Sequence, residues 1–196
     1  MSYQDTVRKT LASFKNDGQL SRRRFLRSSA VALLSVTAMP LLATTRSQTD
    51  RVLSFNNLHT GEKLSATIWS EGIYQHDELD LVNDILRDHR TGDIHTMDTR
   101  LLDFLFALQE TVNATGTFNI ISGYRSPATN EKLRSASNGV AKKSFHMQGR
   151  AIDINLSGCD LSTLRDAAVS LQAGGVGFYP KSNFIHVDTG NIRSWG

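Results

Sequence analysis

Two side chains with the chemistry of metal ligands, His146 and Asp153, stand seven positions apart in KSFHMQGRAIDIN, residues 143–155. Held as one straight strand, that stretch would separate them by roughly 23 Å at about 3.3 Å per residue, too far to share an ion. Gly149, after Gln148, is the residue that lets the chain turn back between them. Beyond it the pattern alternates, with Ile152, Ile154 and Leu156 on one face and Ala151, Asp153 and Asn155 on the other. NFIHVDTG alternates in the same way and places His186 and Asp188 on one face, against Ile185 and Val187. His146, Asp153 and His186 would make a nitrogen and oxygen set suited to a catalytic zinc whose fourth position holds water. Zinc lowers the pKa of that water, and a nearby carboxylate can take its proton. Asp188 is the candidate base, or else a residue that orients a histidine ligand. The plain alternative is a loop histidine and an ordinary strand carboxylate. His59, His76, His89 and His95 fall in turns, loops and helix ends and read as surface residues.

The elements that must position these residues are legible along the chain. RVLSFNN and KLSATIW read as two strands joined through the glycine turn of LHTGE. HDELDLVNDILRDHRTG puts Leu79, Val82, Ile85 and Leu86 on one helical face and stops at Gly92. MDTRLLDFLFALQETVNATG is a second helix, capped near Asp98 or Thr99 and stopped around Gly116. A strand over TFNIISG precedes a helix over PATNEKLRSAS, which has proline at its start. A strand over Ala151 to Leu156, a helix over Leu161 to Gln172 and strands at GVGFYP and FIHVDTG complete the order. The pattern is that of one α+β domain over 51–196, with a mainly antiparallel sheet and helices packed on one face.

The front of the chain has a different character. SRRRFLR, residues 21–27, followed by the uncharged SSAVALLSVTAMPLLA, reads as an export leader over 1–43, cleaved or kept as an anchor. Its paired arginines with Phe25 and Leu26 resemble the twin-arginine (Tat) type, which carries folded proteins across the bacterial inner membrane. Its apolar run is short of the roughly 20 residues of a stable membrane span, and a polar linker follows over 44–50. Seven of the 22 basic residues and two of the 19 acidic ones lie in 1–43, so the remaining 15 and 17 leave about −2 of the formal +3. The basic character belongs to the leader and gives no argument for nucleic-acid binding. Cys159 is the single cysteine, so an intrachain disulfide is excluded, and it reads as a small structural residue.

SGYRSPATNEKLR, KKSFHMQGRAIDI, GGVGFYPKSNFIHVDTG and the closing RSW occur in this order between about Val52 and Trp195. Together they resemble the Tat-exported, M15-type zinc peptidases of the bacterial envelope, and among them the MepK-like murein endopeptidase group. The resemblance implies a fold shared with D-Ala-D-Ala carboxypeptidases and the hedgehog signalling domain. It implies one Zn2+ held by His146, Asp153 and His186, with Arg125 beside the metal to polarise the scissile carbonyl or hold substrate. Arg125 follows a strand end and Gly123, where a fixed cation could stabilise an oxyanion; a surface ion pair is the alternative. Tyr179 could add a substrate-binding hydroxyl at the cleft edge, or simply pack. Several M15 branches place a carboxylate base three residues before the last histidine ligand, where this chain has Asn183. Asp188 or another group would then act as base.

The function implied is a periplasmic zinc endopeptidase that cuts peptidoglycan cross-links between stem peptides, with 3-3 diaminopimelate links expected and 4-3 links possible. The Tat translocon would be its partner during export, and the leader, if uncleaved, its contact with the membrane. Lys142 and Lys143 could attract acidic stem peptides. A wall-binding module with a structural zinc and a carboxypeptidase trimming terminal D-alanine are the competing readings.

Overall fold

The computed structural model describes residues 50–136 and 139–196. The expected leader over 1–43 and, apart from Asp50, the linker lie outside the described residues. Eight strands form one sheet: β1 (Arg51–Asn57), β2 (Lys63–Ser70), β3 (Ile73–Tyr74), β4 (Phe118–Ser122), β5 (Ala151–Leu156), β6 (Gly175–Tyr179), β7 (Phe184–Asp188) and β8 (Arg193–Trp195). Their order is β3-β2-β1-β4-β5-β7-β6-β8. Pairing is antiparallel except where β1 meets β4 and β6 meets β8. The expected mainly antiparallel α+β sheet is therefore what forms, with two parallel pairs in it. No helix among the described residues is long and apolar enough to cross a membrane.

One face of the sheet carries the core. Leu53 and Phe55 of β1, Ile120 of β4, Ile152 and Ile154 of β5 and Ile185 and Val187 of β7 are buried there at 1 % exposure or less. Helices α1 (His76–Ile85), α2 (Thr99–Thr111) and α4 (Leu161–Ser170) close over them with Val82, Leu101, Leu105 and Leu164. Helix α3 (Pro127–Ala136) gives no side chain to this cluster, and its buried residues are the polar Thr129 and Asn130. The other face is polar. Asn56 bonds Asn119 and Asn119 bonds Asn155, each at 2.8 Å, in a ladder of amides across three strands.

Helix ends depart from the sequence reading. Helix α1 stops at Ile85 rather than running to Gly92, because the Leu86 carbonyl accepts the Tyr124 N–H at 2.8 Å instead of a helical donor. Helices α2 and α4 also end early, each followed by a residue in the left-handed region, Asn113 at φ 49° and Gln172 at φ 50°. The segment freed from α1 turns Asp88 inward. Asp88 is buried and its carboxylate accepts from the backbone N–H groups of Ser126 (2.9 Å) and Arg90 (3.0 Å). Burial alone would raise its pKa, but Thr129 and these backbone donors hold it down at about 2.

Asp88 therefore ties the α1–α2 loop to the start of α3. A folded pKa below the unfolded value means stability that is complete above about pH 4 and lost as the pH falls through 2, worth about 2 kcal/mol. In urea titrations Asp88→Asn should be less stable than the parent at pH 7, with the gap shrinking as the pH falls from 4 towards 2. An unchanged gap would mean that the carboxylate charge does not hold this corner.

Candidate active site

The polar face becomes a site where β5 and β7 run side by side. Asp153 and His186 are directly paired across these strands, so alternation delivers both side chains to the same spot. His146 arrives from a 3-10 turn over Phe145–Gln148 that the sequence reading did not contain. The Ser144 hydroxyl caps that turn on the His146 N–H at 3.3 Å, and Gly149 ends it at φ 64°. Gly149 also lies so close to the Thr96 carbonyl that a Cβ would collide with it. The turn thus needs glycine both for its conformation and for space.

Proton bookkeeping shows what the cluster can hold. His146 Nδ1 lies 2.8 Å from the Gly123 carbonyl, which only accepts, so Nδ1 donates and Nε2 keeps a lone pair. His186 lies between two carboxylates, with Nε2 3.0 Å from Asp188 Oδ2 and Nδ1 2.8 Å from Asp153 Oδ1; with its proton on Nε2, the lone pair on Nδ1 faces Asp153. In that tautomer both lone pairs meet Asp153 Oδ1, at 3.3 Å from His146 Nε2 and 2.8 Å from His186 Nδ1, and the two nitrogens are 3.2 Å apart. Three acceptors facing one another need a cation or a proton between them. Their spacing is close to the ~3.3 Å edge of a tetrahedron with zinc–ligand distances of ~2.0–2.1 Å. One donor atom from each of the three residues lies within 4.8 Å of the others. The residues fit a zinc ion.

The two histidines are tuned in opposite directions. Burial pushes the His146 pKa down, which keeps the ring neutral and able to ligate. Burial opposes the charge on Asp153, but His146 and His186 outweigh it and hold the carboxyl well below the usual range. Burial would lower the His186 pKa too, but the carboxylates of Asp153 and Asp188 more than reverse this, so without an ion this ring holds its proton more readily, and a bound cation would take that proton's place.

Arg125 stands beside the cluster. Its Nη2 bonds Asp153 Oδ2 at 2.5 Å and its Nε donates to the Ser122 hydroxyl at 2.8 Å. Ser122 reaches this face through a break in register between Ile120 and Ser122, which sets it opposite Asp153. Simple alternation would have put it with Phe118 and Ile120 in the core. Arg125 Nη1 has no hydrogen-bond partner among the described residues.

Asp188 is differently placed from the proton acceptor expected of it. It has no exposed surface, and both its oxygens are engaged: Oδ1 accepts the N–H groups of Gly175 (3.2 Å) and Gly190 (2.8 Å), and Oδ2 bonds His186. Arg193 bonds both, at 3.1 Å to Oδ1 and 2.6 Å to Oδ2. Burial would raise the Asp188 pKa, yet His186 and Arg193 keep it well below the usual carboxylate range. That geometry suits the orienting alternative. Asn183 does not line the cleft. It sits in the left-handed region at φ 53°, where asparagine is tolerated, and its carbonyl accepts from Asn155 at 2.9 Å.

The cluster forms the floor of a cleft of about 460 Å³, with Arg125, Lys143 and Arg193 among its walls. Tyr179, Phe184 and Trp195 form an aromatic side. Tyr179 stacks on Phe184 at 4.7 Å, Trp195 Nε1 donates to the Tyr179 hydroxyl at 2.9 Å, and the Trp195 ring lies 5.4 Å from that of His186. Trp195 and Arg193 belong to β8, a strand the sequence reading did not contain. Its signal was the glycine pair in GGVG. Gly175 and Gly177 share the site face of β6, and a Cβ on Gly177 would come within 2.7 Å of the Trp195 indole. Gly177→Ala should displace Trp195 from Tyr179 at a cost of roughly 1–3 kcal/mol. Tryptophan emission should shift to the red, and an unshifted spectrum would mean that the indole does not rest on the strand.

Residues outside the site follow the plainer reading in part. His59 and His76 are exposed, whereas His89 is half-buried and stacks on His59 at 3.8 Å, and His95 stacks on Tyr124 at 4.7 Å. Cys159 is half-buried, and burial raises its thiol pKa, which does not suit a nucleophile.

Family membership and curated relatives place this chain among the peptidases. The chain belongs to the M15 peptidase family described as Peptidoglycan L,D-endopeptidase MepK, which matches residues 45–195. It is 44 % identical over 176 residues to the peptidoglycan L,D-endopeptidase MepK of Escherichia coli K12, covering 89 % of this chain and 97 % of that one. It is 38 % identical over 177 residues to a Haemophilus influenzae protein named "Probable peptidoglycan L,D-endopeptidase MepK", covering 89 % and 95 %.

Proposed function

We propose that this chain is a zinc endopeptidase that hydrolyses peptide cross-links of peptidoglycan in the periplasm, after export through the Tat translocon on its N-terminal leader. The observation that carries the reading is the convergence of His146 Nε2, His186 Nδ1 and Asp153 Oδ1 to within 3.3 Å of one another, next to Arg125, in an open cleft. The substrate class is supported by the names of the two relatives. Those names also favour 3-3 links over 4-3 links. A 3-3 link runs from the L-centre carbonyl of one diaminopimelate to the D-centre amine of the next, whereas a 4-3 link starts at a D-alanine carbonyl.

His146, Asp153 and His186 would hold the zinc, which supplies an activated water and a Lewis acid for the scissile carbonyl. Arg125, fixed through Ser122 and Asp153, turns its free Nη1 towards the oxyanion that develops there. Tyr179, its oxygen already accepting from Trp195, keeps its own proton to donate to a backbone carbonyl of the stem peptide. Lys143 draws the acidic stem peptide to the mouth of the cleft. Asp188 keeps a proton on His186 Nε2 and so keeps the Nδ1 lone pair aimed at the metal.

The test is a digest of defined 3-3 and 4-3 cross-linked muropeptide dimers, with zinc or with a chelator, read by mass spectrometry. Chelator-sensitive conversion of 3-3 dimers to monomers is expected. Release of terminal D-alanine alone would replace this reading with a carboxypeptidase, and intact dimers under every condition would end it.

A further inference from the structure

We propose that Arg193 is a positioning residue for the metal centre, acting through Asp188 on the ring of His186; this rests on the reading of His146, Asp153 and His186 as metal ligands. The chain of contacts is continuous. Arg193 takes both oxygens of Asp188 in a two-pronged clamp, and Asp188 Oδ2 in turn bonds His186 Nε2 at 3.0 Å. Asp188 has no exposed surface, so a guanidinium is the cation that can satisfy a buried carboxylate in this planar, paired manner.

The clamp is itself held from several sides. Arg193 Nη1 also donates to the Asn191 carbonyl at 2.9 Å. Its guanidinium lies 4.9 Å from the Trp195 ring and 5.6 Å from the Phe145 ring. Phe145 opens the turn that carries His146, so Arg193 touches the supports of both histidine ligands. Room for the clamp exists because residue 175 is glycine: a Cβ there would fall within 2.6 Å of both the Arg193 guanidinium carbon and Asp188 Oδ2. Arg193 also pairs with Gly175 in the parallel β6–β8 ladder, which fixes its backbone beside Asp188.

The physical consequence is specific. Asp188 without Arg193 keeps the Gly175 and Gly190 N–H groups on Oδ1, but Oδ2 is then held by His186 alone. The carboxylate can rotate, and the His186 ring loses the fixed partner that sets its tautomer and tilt. Zinc affinity should report this directly, apart from any effect on substrate.

The experiment uses the full-length protein and its Arg193→Ala, Arg193→Gln and Arg193→Lys variants, with His146→Ala as the control for the site itself. Zinc affinity is measured by competition with a chelating indicator, the Co2+-substituted absorption spectrum reports ligand geometry, and circular dichroism checks the fold. Arg193→Ala and Arg193→Gln should bind zinc about 10–100-fold more weakly, with altered Co2+ bands and an unchanged dichroism spectrum. Arg193→Lys should recover only part, because an ammonium cannot span both carboxylate oxygens. Zinc affinity within twofold of the parent in Arg193→Ala and Arg193→Gln, or full recovery by lysine, would overturn the positioning role. A parent that binds no zinc, or a His146→Ala variant that binds it as tightly as the parent, would overturn the metal site instead.

Discussion

Replacing His146 by alanine is expected to abolish chelator-sensitive hydrolysis, lowering kcat/KM by about three orders of magnitude or more. The water that attacks an amide at neutral pH depends on a pKa lowered from about 15.7 to about 7, and that lowering needs the complete ligand set. His146 is 2 % exposed and its Nδ1 satisfies the Gly123 carbonyl, so the variant also leaves a buried acceptor unpaired. That second effect costs roughly 1–3 kcal/mol of stability. His186→Ala separates the two, because the His186 ring bonds side chains and relieves no buried carbonyl. Loss of turnover in both, with His186→Ala still cooperatively folded, is the outcome the site requires. Turnover within tenfold of the parent in a folded His186→Ala would remove His186 from the ligand set.

Arg125→Ala is expected to lower kcat by about 10²–10³ with a smaller change in KM, the pattern of a group whose interaction strengthens in the transition state. Its Nη2 and Nε are already committed to Asp153 and Ser122, so the guanidinium is fixed before substrate arrives. The alanine variant also leaves Asp153 Oδ2 without its cation, and some loss of metal affinity should accompany the loss of rate. Arg125→Lys separates the contributions, since one ammonium cannot reach Ser122, Asp153 and the substrate together. Equal kcat in the parent and Arg125→Ala, at saturating zinc, would leave Arg125 as an ion pair only.

How much of this was legible in the sequence differs from residue to residue. Ile152, Ile154, Ile185 and Val187 alternate so regularly that the faces of β5 and β7, and with them Asp153 and His186, could be assigned before any fold was known. Gly149 marked the turn that brings His146 back. The 3-10 turn itself carries no periodicity, being four residues long. Ser122 was hidden by the break in register that takes it off the alternation of β4. The early end of α1 was set by a tertiary bond from Tyr124, which no local pattern records. Arg193 and Trp195 were hidden for another reason. Three residues of strand are too few to show alternation; the closing RSW figured only as part of the family resemblance, and the glycines they lie on were the physical sign of their place.

Two of the three candidate ligands form a single cross-strand pair in the middle of an eight-stranded sheet, and the third sits in a turn anchored to the same sheet. The apolar residues that hold those strands together point the other way, into a core with no part in binding the ion. In a zinc finger the ion is most of the core, and the chain is unfolded without it. If His146, Asp153 and His186 hold zinc as proposed, the order of events should be the reverse: the chain would complete its structure first and be loaded afterwards, as a finished receptacle. Metal supply would then govern when the protein becomes active and not whether it survives.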